Sequence, residues 1–210
     1  MPKSRKPRKS AKAPQQSFDN RKYIIERART LPLGKCYCNG DFGEESTSGL
    51  TSIIVTRLHS NGKIVCGFYL VDRYCLGLKD TFAQARMDPH DIDDYLEDGE
   101  YEPCDYVDAH NMILGAIEFA QEAGIEPHPD FEYTQYVLED DTDEIPLKEF
   151  EYGLNGKHFF VAKNEFEAHH YLPIIQSHLD ADSFDYIDSF DSFDEEVFDH
   201  GGVEVFDDDE

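Results

Sequence analysis

No apolar run in the 210-residue chain approaches the roughly 20 residues that cross a bilayer, so no membrane-spanning helix is expected. The opening stretch MPKSRKPRKSAKAPQQ is positively charged but lacks the apolar region that a secretory signal requires. No CxxC pair occurs among the five cysteines, Cys36, Cys38, Cys66, Cys75 and Cys104. An odd number without paired spacing argues against a disulfide framework and for reduced thiols in a cytoplasm. Cys36 and Cys38, with no second pair, make a poor zinc signature. No established catalytic or cofactor motif appears either, so any chemistry has to be argued from clusters of side chains.

Two further absences are of charge. Residues 1–14 hold six Lys or Arg and no acid, whereas residues 180–210 hold fourteen Asp or Glu and no base. With a total of −26, those two ends leave −18 on residues 15–179. A surface of that sign repels phosphate backbones and attracts basic proteins or metal cations, so direct nucleic-acid binding by the core is not expected.

What is present divides into three parts. Residues 1–20, rich in Lys, Arg, Ser, Pro and Gln, have too little apolar surface to offset the entropy of folding and read as a disordered basic arm. Residues 180–210 repeat an acidic-aromatic unit around Phe184, Phe190 and Phe193 and read as a disordered tail whose rings can enter apolar pockets of a basic partner. Residues 21–179 read as an α+β core, with two β-hairpins packed against several helices.

Within that core, residues 23–29 form a short helix stopped before Pro32. Residues 35–50 read as loop after a brief strand over residues 36–38. Asn61-Gly62 joins two β-rich runs as a hairpin; Ile64, Cys66, Phe68 and Leu70 face one way and Val65, Gly67, Tyr69 and Val71 the other, as in a covered central strand. Asp88-Pro89 opens a helix that stops at Gly99. Ala109, Met112, Ile113, Ala116, Ile117 and Ala120 mark one face of a second helix that ends at Gly124. Asp130 caps a third, short helix, and Asn155-Gly156 joins residues 148–152 to residues 157–162 as the second hairpin. Asn164 caps the last helix, which Pro173 interrupts.

Two clusters carry candidate chemistry. At Asp72 the first strand pair ends, and residues 73–80 are expected to turn away from the sheet, bringing Asp72, Cys75, Lys79 and Asp80 close together as candidate catalytic groups. A neighbouring Lys79 or His would lower the Cys75 pKa and make it a nucleophile. The plain alternative makes Asp72 a turn cap, Cys75 a small core residue and Lys79 half of an ion pair. The second cluster is His110, at the start of the strongest helix, with His128 and Asp130 in the loop of residues 127–131. Should that loop fold back, Asp72, His110, His128 and Asp130 would present imidazole and carboxylate ligands suited to a divalent metal. The plain alternative is again local, with His110 a polar helix residue and Asp130 a cap.

Tyr69, Leu70, Val71, Asp72, Cys75, Leu76, Gly77, Lys79 and Asp80 in one segment, and Gly115, Ala116, Glu118, Phe119, Ala120, Pro127, His128, Asp130 and Phe131 in another, resemble the pattern of a widespread bacterial family of uncharacterised proteins. The resemblance implies a bacterial cytoplasm and no particular reaction, cofactor or fold. The leading expectation is a non-enzymatic interaction module that engages a basic protein or assembly through its acidic surface and tail. The alternative from another class is a metal-assisted hydrolase or related enzyme built on Asp72, His110, His128 and Asp130.

Overall fold

The computed structural model describes residues 18–39 and 49–188. Residues 1–17 of the expected arm over residues 1–20, residues 40–48 of the expected loop and the tail beyond residue 188 lie outside the described residues; the end of the arm is corrected, since Asp19 caps a helix that Asn20 begins. The first helix, α1 (Asn20–Arg27), is capped by Asp19, whose side chain accepts the Lys22 N–H, and runs into a 3-10 turn (Ala28–Thr30) that Pro32 prevents from continuing. Strand β1 (Leu33–Asn39) follows, then β2 (Leu50–Leu58) and β3 (Ile64–Asp72), paired antiparallel with Leu58 opposite Ile64 across a turn that contains Asn61 and Gly62.

Residues 73–80 depart from expectation. They do not leave the sheet: after a four-residue turn they enter β4 (Gly77–Met87), which pairs antiparallel with β3. From Asp80 onward β4 alternates, with Thr81, Ala83 and Ala85 buried and Asp80, Phe82, Gln84 and Arg86 exposed. Its inward residues are small because α1 and a later helix, α4 (Phe131–Thr134), lie close above them: Asn20 donates to the Ala83 carbonyl and the Ala83 N–H donates to the Tyr133 hydroxyl. Helix α2 (Pro89–Asp98) begins at the expected Asp88-Pro89 pair, where the structure adds a capping box in which the Asp88 N–H donates to the Asp91 carboxylate. Strand β5 (Glu102–Cys104) completes an antiparallel sheet in the order β4-β3-β2-β1-β5.

The two faces of β3 go to two different cores. Val65, Tyr69 and Val71 pack with α1, α4 and the long helix α3 (Tyr106–Glu122), which buries Met112, Ile113, Ala116 and Ile117 there. Burial of each large apolar side chain in such a core contributes about 1.5–3 kcal/mol. Ile64, Cys66 and Phe68 face the other way, under Ile92 and Leu96 of α2.

The second expected hairpin is corrected. The two-residue turn forms, with Asn155 at φ 54° and Gly156 at φ 75°, but pairing ends at Leu154 and Lys157. Instead, β6 (His158–Ala162) pairs in parallel with β7 (Phe184–Asp188), reached through α5 (Glu165–His178), because parallel neighbours need a crossover. Residues 184–188, expected in the disordered tail, are therefore a strand, and Phe184 is buried in a third core with Cys75, Leu76, Phe160 and Ile175.

Candidate functional site

The turn after β3 is held by Asp72, whose Oδ1 accepts the N–H groups of Tyr74 (2.9 Å) and Cys75 (3.1 Å). Burial raises the Asp72 carboxyl above its ordinary pKa, against the opposing pull of Lys79 and these turn N–H groups. Asp72 is thus a turn cap. Cys75 is 0% exposed, and burial first, then the Asp72 charge, pushes its thiol up to about 12. The expected lowering of its pKa is reversed, and a thiol of that kind is a core residue rather than a nucleophile.

Lys79 points to α5. Its side chain is only 11% exposed and its Nζ lies 3.4 Å from Glu167 Oε1. Tyr171, one turn further along α5, has its hydroxyl raised by burial and by the Glu167 and Asp72 charges, which puts all four groups in one electrostatic neighbourhood. Lys79 and Tyr171 line a cleft of about 310 Å³ between the start of β4, the loop of residues 124–129 and α5.

The loop of residues 127–131 does reach this region. The His128 N–H donates to the Leu78 carbonyl (3.0 Å), and His128 Nε2 lies 3.8 Å from Asp80 Oδ1. The Asp130 N–H donates to His128 Nδ1 (3.2 Å), which leaves Nε2 as the protonated nitrogen facing Asp80 in the neutral ring. The Asp130 carboxylate turns the other way and pairs with Arg21 on α1; it makes no side-chain cap to α4.

His110 is not part of this group. It is 1% exposed on α3, its Nε2 donates to the Glu139 carbonyl (3.3 Å), and burial lowers its pKa. Of the expected metal set, then, His128 approaches Asp80, Asp130 is held by Arg21, Asp72 caps its own turn and His110 faces Glu139. Among the described residues no group of three His, Cys, Asp or Glu side chains is placed to hold a metal ion. Glu167 and Tyr171, which the spacing of the sequence did not single out, are the partners that α5 supplies.

A second surface is defined by charge. From residue 87 to residue 147 the chain holds no Lys or Arg and twenty Asp or Glu, so this stretch accounts for all of the negative charge on residues 15–179. Helix α2 packs on the sheet through Ile92 and Leu96, leaving Asp91, Asp93, Glu97 and Asp98 exposed, and Glu100, Glu102 and Asp105 continue the acidic stretch along β5. Beside α2, Phe68 stacks on Phe82 (4.4 Å between ring centres) and touches Tyr95 (5.2 Å). Phe82 and Tyr95 remain 39% and 49% exposed. The region therefore combines carboxylates with two accessible aromatic rings. Pro103 in the edge strand β5 removes a backbone donor, so this edge is suited to recognition by side chains rather than to strand addition.

Comparison of the chain with protein-family models, with curated proteins and with solved structures gave no match. No helix among the described residues is long and apolar enough to cross a membrane.

Proposed function

We propose that this chain is a non-enzymatic interaction protein that engages a basic protein or assembly through the acidic α2–β5 surface. The observation that carries the reading is the segregation of charge: twenty acids and no base over residues 87–147. A surface that is predominantly of one sign speeds encounter with an oppositely charged partner, and the exposed Phe82 and Tyr95 supply the apolar contact that gives such an encounter residence time. The same field disfavours nucleic acid as a direct ligand of this surface. Five free cysteines fit a reducing compartment such as a bacterial cytoplasm. The acidic residues beyond Asp188 extend the same charge and serve as a recruiting tail. A truncation that tests the tail begins at Ser189, since an earlier cut removes β7.

A Lys/Arg-rich amphipathic peptide, titrated by fluorescence anisotropy, tests the surface. Changing Asp91, Asp93, Glu97 and Asp98 to Asn or Gln weakens binding roughly 10-fold, chiefly at low salt. Removing charge from Glu118, Glu122 and Glu126, exposed on α3 and the loop after it, has a much smaller effect. Equal losses in the two variants would show a nonspecific field and no docking surface.

A further inference from the structure

The chain enters the fold at a fixed point, the far end of β4. The Asn20 side chain donates to the Ala83 carbonyl and accepts the Ala85 N–H (2.8 Å each), which ties the start of α1 to this end of the strand. Here the β3–β4 register shifts and Arg86 adopts φ 65°. Its guanidinium lies 4.1 Å from the ring centre of Phe18 and 5.2 Å from that of Tyr23. Tyr23 in turn meets His59, with ring centres 5.6 Å apart and its hydroxyl 3.3 Å from His59 Nδ1. His59, just past β2, also lines a groove of about 670 Å³ between α2 and the sheet. Leu33, Tyr37 and Leu58 of the sheet and Pro89 and Ile92 of α2 give this groove an apolar lining, in which Leu58 is 46% exposed. Of its two lysines, Lys63 pairs with Asp88. Asp93 lines it too, and Asp91, Glu97 and Asp98 stand exposed on the same helix. Phe18, Tyr23 and His59 thus lead from the base of the N-terminal segment to the mouth of the groove.

We propose that the basic segment of residues 1–17 docks in this groove and covers the acidic side of α2. Three observations select this occupant. The first is charge: residues 1–14 carry six Lys or Arg and no acid, whereas no Lys or Arg follows Arg86 until Lys148. The second is reach, since 17 residues span up to about 56 Å and the ten residues of α2 only about 15 Å. Ala11, Ala13, Pro14 and the lysine stems supply apolar surface for the lining. The third is position. The acidic residues beyond Asp188 carry the same sign as α2, and they follow β7, whose partner β6 joins the opposite end of β4 through the Phe159 N–H and the Tyr74 carbonyl. That end stands about 30 Å along β4 from Arg86. A segment tethered beside the groove acts at an effective concentration in the millimolar range, above that of any second copy at micromolar protein. A basic partner then has to displace it. This consequence rests on the proposed α2–β5 surface, whereas the docking itself does not.

Carbodiimide coupling of lysine amines to carboxylates, on the full chain at low micromolar concentration and followed by peptide mapping, tests the docking. Lys9 and Lys12 link to Asp91, Asp93, Glu97 or Asp98 within one chain, and high salt removes the links. Leu58→Arg, which changes the lining and no acid, reduces them several-fold. Undiminished links in that variant would put the segment on the charges alone and overturn its place in the groove. Links mainly to acids beyond Asp188, links spread equally over Glu118, Glu122 and Glu126, links only between copies, or none at all would overturn the docking itself, and mapping of the unsubstituted chain reads these whether or not the variant folds. Removing residues 2–14 raises affinity for the Lys/Arg-rich peptide roughly 10-fold at low salt. Links to α2 with unchanged peptide affinity would support the docking and count against α2 as the partner's site, so the two readings fail separately.

Discussion

Arg57 lies in the middle of the molecule with its side chain 0% exposed, on β2, a strand whose neighbours are apolar. There the planar guanidinium meets several acceptors at once. Nε donates to the Val137 carbonyl (2.6 Å) and one terminal nitrogen to the Leu31 carbonyl (2.9 Å), while the other stands 2.9 Å from Glu139 Oε1 as an ion pair. One side chain thus ties together β2, the end of the first 3-10 turn and the segment after α4. Arg57→Ala leaves those carbonyls without a donor and is expected to lower stability by about 3–5 kcal/mol, read from the denaturant midpoint. Glu139→Gln, at the exposed end of the pair, is expected to cost no more than about 1 kcal/mol. His110 shows the same rule for a group that stays neutral. Burial holds its pKa in the folded chain below the ordinary 6.5, so the unfolded chain takes up a proton that the folded chain refuses. That penalty is absent above pH 6.5 and grows as pH falls below it. His110→Gln, which cannot protonate, is therefore expected to lose less stability than the parent between pH 7 and 5.5, measured by urea unfolding at each pH. A parallel loss in the two proteins would contradict this account of His110.

At the scale of elements, the parts that could be read from the sequence are those fixed by neighbours along the chain. The Asn61-Gly62 turn, the Asp88-Pro89 capping pair and the apolar period of α3 each act within a few residues, and each stands where the pattern put it. Strand β4 could not be read in this way, because Thr81, Ala83 and Ala85 face inward for the sake of α1 and α4, and small residues carry a weak strand signal. The partner of β6 is decided by a crossover through α5, which no turn residue announces. In the candidate site, Asp72 as a cap and Cys75 as a core thiol follow from local chemistry, whereas the meeting of Lys79 with Glu167 spans 88 positions and leaves no mark in the spacing. Gly77 joins the two cases. It opens β4 at φ 62°, and a Cβ there would stand 2.7 Å from Ala120 Cβ and 2.8 Å from the Ala116 carbonyl oxygen on α3. Gly77→Ala is thus both strained and overpacked and should lower stability by about 2–4 kcal/mol. A change in thermal midpoint indistinguishable from zero would mean that β4 and α3 do not approach this closely.

For the whole molecule, the distribution of charge over the fold matters more than its total. The basic side chains of the described residues before residue 87 largely serve the architecture: Arg57 inside the core, Arg21 and Arg29 on Asp130 and Asp140, Lys63 on Asp88 and Lys79 on Glu167. The acids of α2 and β5 have no comparable surplus of bases nearby in the chain, and their field extends outward. The cleft beside Lys79, by contrast, sets a lysine already paired with Glu167 among apolar side chains of β4, the loop of residues 124–129 and α5, and we read it as a junction between β4 and α5. The most direct test of this contrast is amide hydrogen exchange on the full chain with and without a saturating Lys/Arg-rich amphipathic peptide. Exchange is expected to slow over α2, β5 and the residues between them, with the loop of residues 124–129 and α5 unchanged. Protection confined to that loop and α5 would place the working surface at the cleft and contradict the account.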